Sequence, residues 1–210
     1  MNYRGMTRSV SFDCDFRSPS RNRTKTASYL FEHIDSTNVD SSRIPETFIK
    51  KWMAQMVTAV SRLHSLGVVC RDLKPSNILL GDGGQVYLTY FCKLGDTDQE
   101  PDWDAKKNLY AAPEVGSVHK YARSCDWWSI GAVLYELVVG RNLRECHPGG
   151  INSHTCLHIP PFVSNETRGL LEGLLRHNPN ERLGSGMAGS EEIKAHPFFT
   201  GVDWRALEYS

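Results

Sequence analysis

Cys70-Arg71-Asp72-Leu73-Lys74-Pro75-Ser76-Asn77 brings two cationic side chains, a carboxylate and an amide together around one proline. Upstream, Phe48, Ile49, Trp52, Met56, Val60 and Leu63 recur at helical spacing, with Pro45 near the start and Gly67 beyond the end. This pattern predicts one long amphipathic helix leading into the stretch. Downstream, Ile78-Leu79-Leu80 and Val86-Tyr87-Leu88 flank Gly81-Asp82-Gly83-Gly84, which predicts a short hairpin. The polar octet is therefore a loop slung between a helix and a hairpin, and Asn77 and Tyr90 stand at the two ends of that hairpin unit.

Further along, Trp127 or Trp128, Ile130, Leu134, Leu137 and Val138 mark a second helix, apolar almost all round and so expected to be buried, which stops at Gly140. A third passes through Leu170, Leu171, Leu174 and Leu175 until Pro179, with Ser164 as its N-cap. A fourth begins after Ser190 and ends at His196-Pro197. No internal repeat is present.

The order of motifs around these elements carries a resemblance. After the octet come Tyr110-Ala111-Ala112-Pro113-Glu114, then Asp126-Trp127-Trp128-Ser129-Ile130-Gly131, then Asn178-Pro179-Asn180-Glu181-Arg182-Leu183-Gly184. This succession resembles the catalytic loop, activation-segment end, central helix and late arginine of a protein kinase. At about 5% usage per residue type, the six defining octet positions would coincide by chance at roughly one start in 10^8. The closing Ile193-Lys194-Ala195-His196-Pro197-Phe198-Phe199 and Val202-Asp203-Trp204 look like the AGC group. Within it, the chain is most similar to the divergent branch of ribosomal protein S-six kinase delta and its like-one relative. They share the cysteine before Arg71-Asp72, Leu88-Thr89-Tyr90-Phe91, Cys125-Asp126-Trp127-Trp128-Ser129 and His147-Pro148-Gly149-Gly150-Ile151. Lys74 departs from that branch, which need not keep the loop lysine.

The resemblance implies a mainly α fold of the α+β kinase type: a C-terminal lobe over 43–208 with a small hairpin, preceded by a flexible Arg/Ser-rich tail over 1–42. Ahead of Pro45 there is no Gly-x-Gly-x-x-Gly followed by a strand and no Val-Ala-x-Lys, so the nucleotide-covering N-terminal lobe is expected to be absent. In the family the loop aspartate is the general base, the lysine steadies the transferred phosphate and the asparagine holds magnesium. Those roles fall on Asp72, Lys74 and Asn77, and Leu79 takes the adenine-facing position.

Two positions are degenerate. Cys70 stands where the family has histidine, and Tyr90, with Phe91 and Cys92, where it has the aspartate of Asp-Phe-Gly. A phenol with a reference pKa near 10 is neutral at pH 7 and cannot replace an anionic metal ligand. Glu114 and Arg182 fall on the family's buried ion pair, and Asp126 on the residue that holds the loop backbone. Around the middle of the activation segment, Trp103 lies between Asp102 and Asp104, where the family often has a phosphothreonine.

The expectation is a divergent Ser/Thr kinase-like chain without ATP chemistry, acting through protein binding. The alternative is part of an active Ser/Thr kinase, transferring the ATP γ-phosphate to protein serine or threonine, whose N-terminal lobe is missing from this chain. No cofactor is expected for this chain, whereas the family uses ATP and magnesium. Lost cover from an upper lobe would expose an apolar face built from Leu79, Leu88, Tyr90 and Phe91, implying a protein partner over that face or self-association.

Lysine plus arginine and aspartate plus glutamate both number 24, so charge balance gives no argument for nucleic acid. No apolar run is long enough for membrane insertion. Six cysteines suit reduced thiols and a cytoplasmic address, with endosomal association implied by the resemblance alone. The spacing of Cys146, His147, His154, Cys156 and His158 fits no ordinary zinc pattern and predicts loop packing with no metal.

Overall fold

The long helix expected upstream of the octet is α1, Glu46–Ser65, with Pro45 at its N-cap position and Gly67 at φ 79 just past its end. The computed structural model describes residues 43–71, 73–81, 84–89, 103–115 and 123–208, with the backbone alone at Lys25–Thr26 and at 103–104. α1 buries Ile49, Trp52, Met53, Met56, Val57 and Val60. Phe48 differs from the expected stripe. It is 54% exposed and leans on Trp52 from the rim, because the buried arc is centred on Ile49 and Met53, about 100° or more around the helix.

The other helices are α2 (Trp103–Lys107), α3 (Ser124–Val139), α4 (Leu143–Cys146), α5 (Asn165–Leu174), α6 (Ser190–Lys194) and α7 (Trp204–Glu208). α3 is buried from Ser124 through Tyr135, as its unbroken apolar run requires, and lies between α1 and α5. Trp127 and Trp128 are both inside, so the choice between them that the sequence leaves open has no single answer. α5 approaches so closely that a Cβ placed on Gly131 would lie 2.9 Å from Leu174 Cβ. A glycine there sets the helix spacing, since a methyl group would force the two helices apart. α3 ends at Gly140, φ 76, whose N–H donates to the Glu136 carbonyl at 2.8 Å.

α5 starts at the expected cap: Ser164 Oγ accepts the Thr167 N–H at 3.2 Å. α6 stops at Lys194, and the following turn, Pro197–Phe199, is capped by His196, whose Nδ1 accepts the Phe198 N–H at 3.3 Å. Phe199 meets Trp204 edge-on at 5.1 Å, which seats the start of α7. The sequence pattern did not resolve α2, α4 and α7, whose four or five residues are too short for a helical period to be legible.

The sheet is antiparallel with order β1-β2-β3, from β1 (Lys25–Thr26), β2 (Ile78–Leu80) and β3 (Val86–Leu88). The expected hairpin is β2-β3, in register Ile78↔Leu88, Leu79↔Tyr87 and Leu80↔Val86. β1 comes from the stretch expected as a tail, pairing Lys25↔Leu80 and Thr26↔Leu79. Those two residues add an edge strand to the lobe, and the other residues of 1–42 lie outside the described ones.

The register also corrects the expected upper face. Side chains alternate across a strand, so Leu88 shares a face with its partner Ile78 and packs onto the core. The outward partner of Leu79 is Tyr87, which is 51% exposed. Tyr90 and Phe91 lie outside the described residues. Among the described residues, no helix is long and apolar enough to cross a membrane.

Candidate functional site

The octet loop owes its shape to α3. Asp126, wholly buried, accepts the Cys70 N–H on Oδ2 at 2.8 Å and the Arg71 N–H on Oδ1 at 2.7 Å. Its Oδ2 also meets His64 Nε2, from the last turn of α1, at 2.7 Å. One carboxylate thus gathers the end of α1, the start of the loop and the first turn of α3. Arg71 is held at φ 63, in the left-handed region that an L-residue occupies only at a cost, and the bond to Asp126 fixes it there. Cys70, 1% exposed, is a small buried hydrophobe beside this node.

Asp72 lies outside the described residues. Lys74 precedes the turn Pro75–Asn77 in extended backbone and is 7% exposed, with its carbonyl accepting the Asn77 N–H at 2.9 Å. The Asn77 carbonyl accepts from the Thr89 backbone N–H at 2.9 Å and from the Thr89 hydroxyl at 3.2 Å. The hairpin therefore folds back on itself and sets Asn77 beside Thr89, the residue before Tyr90. Asn77 and Thr89, at the two ends of the hairpin in sequence, meet at its open end. Leu79 lies half-buried on β2, on the outward row with Tyr87.

A second node closes the lower side. Arg182, with its side chain fully buried, grips Glu114 in a fork, Nη1 to Oε1 at 2.6 Å and Nη2 to Oε2 at 3.0 Å. The same guanidinium donates to the carbonyls of Ser124 at 2.8 Å and Arg176 at 3.1 Å, and lies over the Trp128 ring at 5.2 Å. Every arm of this planar donor is used, the geometry that favours arginine over lysine.

α3 also fixes the backbone just before Glu114. Trp128 Nε1 donates to the Leu109 carbonyl at 2.9 Å, and Ser129 Oγ to the Tyr110 carbonyl at 2.8 Å. The Tyr110 hydroxyl donates to Glu136, and Leu109 is left-handed at φ 63. His64 and Glu136 carry no role in the sequence reading, and Tyr110 and Ser129 stand there only as members of motifs. For His64 a signal exists: it falls four residues after Val60, on the buried face of α1. Of the two acids that flank Trp103, Asp102 lies outside the described residues, while the backbone of 103–104 opens α2.

Burial raises the Cys125 thiol well above its ordinary range, and the neighbouring Asp126 and Glu114 carboxylates raise it further, so it stays protonated and inert. Among the described residues, no cluster of histidine, cysteine and carboxylate side chains is placed to hold a metal.

Comparison with known proteins agrees with this geometry. The protein kinase domain family matches residues 22–199, a span that takes in β1. Ribosomal protein S6 kinase delta-1 of Mus musculus is 54% identical over 180 residues, covering 85% of this chain and 17% of that protein. Ribosomal protein S6 kinase-like 1 of Pongo abelii is 42% identical over 164 residues, 78% of this chain and 30% of the relative. Serine/threonine-protein kinase AtPK1/AtPK6 of Arabidopsis thaliana is 38% identical over 168 residues, 78% of this chain and 36% of the relative. The chain thus spans well under half the length of each of these relatives.

Proposed function

This chain belongs to the protein kinase domain family, and we propose that it is a divergent Ser/Thr kinase-like lobe that acts by binding protein and does not transfer phosphate. The observation that carries the reading is Tyr90. Phosphoryl transfer rests on positioning and charge stabilisation, and the metal that bridges the outer phosphates needs anionic oxygen. Tyr90, which follows Thr89 in the sequence where the family has the aspartate of Asp-Phe-Gly, offers a neutral phenol instead. Lys74, whose family role is to reach a phosphate, is buried. Asp72, Lys74 and Asn77 supply one carboxylate between them, which does not make the site that magnesium-ATP requires.

Calorimetric titration of the 210-residue chain with magnesium-ATP should give a dissociation constant no tighter than millimolar, and no phosphotransfer. Low-micromolar binding that disappears in Asp72→Ala and Asn77→Ala would overturn the reading. It would favour the alternative of a segment of an active Ser/Thr kinase, which has in its support the retained trio and the far greater length of the relatives.

The binding surface we propose is the outward face of the hairpin, where Leu79 and the exposed Tyr87 form a row beside β1. Either a protein partner or a second copy would cover it. Sedimentation velocity at micromolar concentration should show species larger than the monomer, and Leu79→Lys with Tyr87→Lys should restore the monomer. A monomer at 100 micromolar that binds no hydrophobic dye would remove this surface from consideration. A cytoplasmic address is consistent with Cys70, Cys125, Cys146 and Cys156, which are all free thiols. An endosomal association has only the likeness to the delta branch behind it.

A further inference from the structure

The chain leaves α4 through His147 and runs through 148–157 without regular structure before returning at His158. His158 is held at both of its backbone polar groups. Its N–H donates to His147 Nε2 at 3.2 Å, and its carbonyl accepts the Tyr135 hydroxyl of α3 at 2.7 Å. At the near end, the His147 N–H donates to the Leu143 carbonyl and the Gly150 N–H to the His147 carbonyl, at 2.8 and 2.9 Å. The His147 ring is therefore the clasp of a closed loop. It is 8% exposed, while His154, Cys156 and His158 on the same loop face solvent.

An imidazole nitrogen that accepts a backbone N–H must be bare, so His147 carries its one proton on Nδ1 and is neutral. A second proton has to go on Nε2, the atom that meets His158. Two N–H groups would then point at each other, and the bond is abolished outright. We propose that His147 is a proton-operated latch: neutral, it keeps 148–157 closed against α3 and α4, and protonated it releases that segment about the remaining Tyr135 contact.

The groups around the ring favour the neutral form. Tyr135 faces it from α3 with ring centroids 6.0 Å apart, Cys146 precedes it in the chain, and His158 meets it from the far end of the loop. Arg141, which acts on Tyr135, is paired with the Glu145 carboxylate at 3.4 Å, and His158 is the charged group that acts on the His147 ring. Burial, then the charge of His158, lowers the His147 pKa below the ordinary histidine value. Tyr135 is shifted upward, chiefly by burial and then by the neighbouring Cys146, so its hydroxyl keeps the proton it donates. With the closed-state value lowered, the open state binds the proton more tightly. Closure is complete above the ordinary histidine pKa of about 6.5 and weakens as pH falls through it toward the closed-state value.

The test is an NMR titration of the full chain from pH 8 to pH 5. The His147 Cε1–H resonance should titrate below pH 6.5, and the His158 amide should move with the same midpoint while amides of 148–157 approach unstructured shifts. In His147→Gln the amide oxygen supplies an acceptor that does not titrate, so the His158 amide should stay still over that range. A His158 amide that is flat through the His147 titration would overturn the latch. So would a His147 midpoint at or above 6.5, or a His147→Gln protein whose His158 amide moves as the wild type does. If His147→Gln fails to fold, the wild-type titration decides alone.

Discussion

Asp126→Ala should cost this fold more than about 3 kcal/mol, since three N–H donors lose a buried acceptor at roughly 1–3 kcal/mol each. The donors are His64 Nε2 and the backbone N–H groups of Cys70 and Arg71. Water cannot take over easily, because Asp126 is wholly buried and His64 and Cys70 are nearly so. The loss includes the tether that keeps Arg71 at positive φ, so the octet should loosen at the same time. Urea unfolding followed by tryptophan fluorescence measures the effect, with Trp127 and Trp128 as reporters beside the node. Asp126→Asn keeps one acceptor oxygen and should fall between alanine and wild type. A midpoint for Asp126→Ala within error of wild type would mean that the loop is held by something else.

Arg182→Ala should cost about 3–5 kcal/mol, the penalty for stranding one half of a buried ion pair. Glu114 is left with 19% of its side chain exposed, enough for partial hydration, which argues for the lower part of that range. The carbonyls of Ser124 and Arg176 lose a donor too, and Trp128 loses the guanidinium over its ring. Arg182→Lys should recover little, because a single ammonium cannot hold both carboxylate oxygens and two carbonyls in one plane. Against a domain stability of about 5–15 kcal/mol, either alanine variant removes a large share. A melting temperature for Arg182→Ala within a degree of wild type would contradict the buried fork.

Much of this architecture is legible in the sequence, and the reasons are local. α1, α3 and α5 carry apolar stripes several turns long, and Pro45, Ser164 and Gly140 mark their ends by mechanisms that need no tertiary information. The Glu114–Arg182 fork is a different case, since nothing in the spacing of two charges 68 residues apart pairs them. That pairing came from the likeness to a family, and the geometry agrees with it. The face of Leu88 was misjudged because a strand's inward side is set by register, and register by the partner strand. The edge strand at Lys25–Thr26 was missed for a related reason: a two-residue strand has no period, and polar neighbours make it read as tail. The role of His64, and that of the Tyr110 hydroxyl, is not legible in the sequence, because a polar residue on a buried face shows its purpose only once its partner is placed.

The loop's dependence on α3 also bears on the order in which the chain can fold. The contacts that shape the octet reach across 55, 56 and 62 residues of sequence, and the fork across 68. Each closes a long loop, whose entropy must be lost before the contact forms. α1 and the β2-β3 hairpin can take shape early from near neighbours, while the octet between them has no reason to adopt its left-handed Arg71 until α3 has docked. On a ribosome, that conformation waits for the synthesis of residues well past Asp126, so the most recognisable stretch of the chain is among the last to acquire its structure.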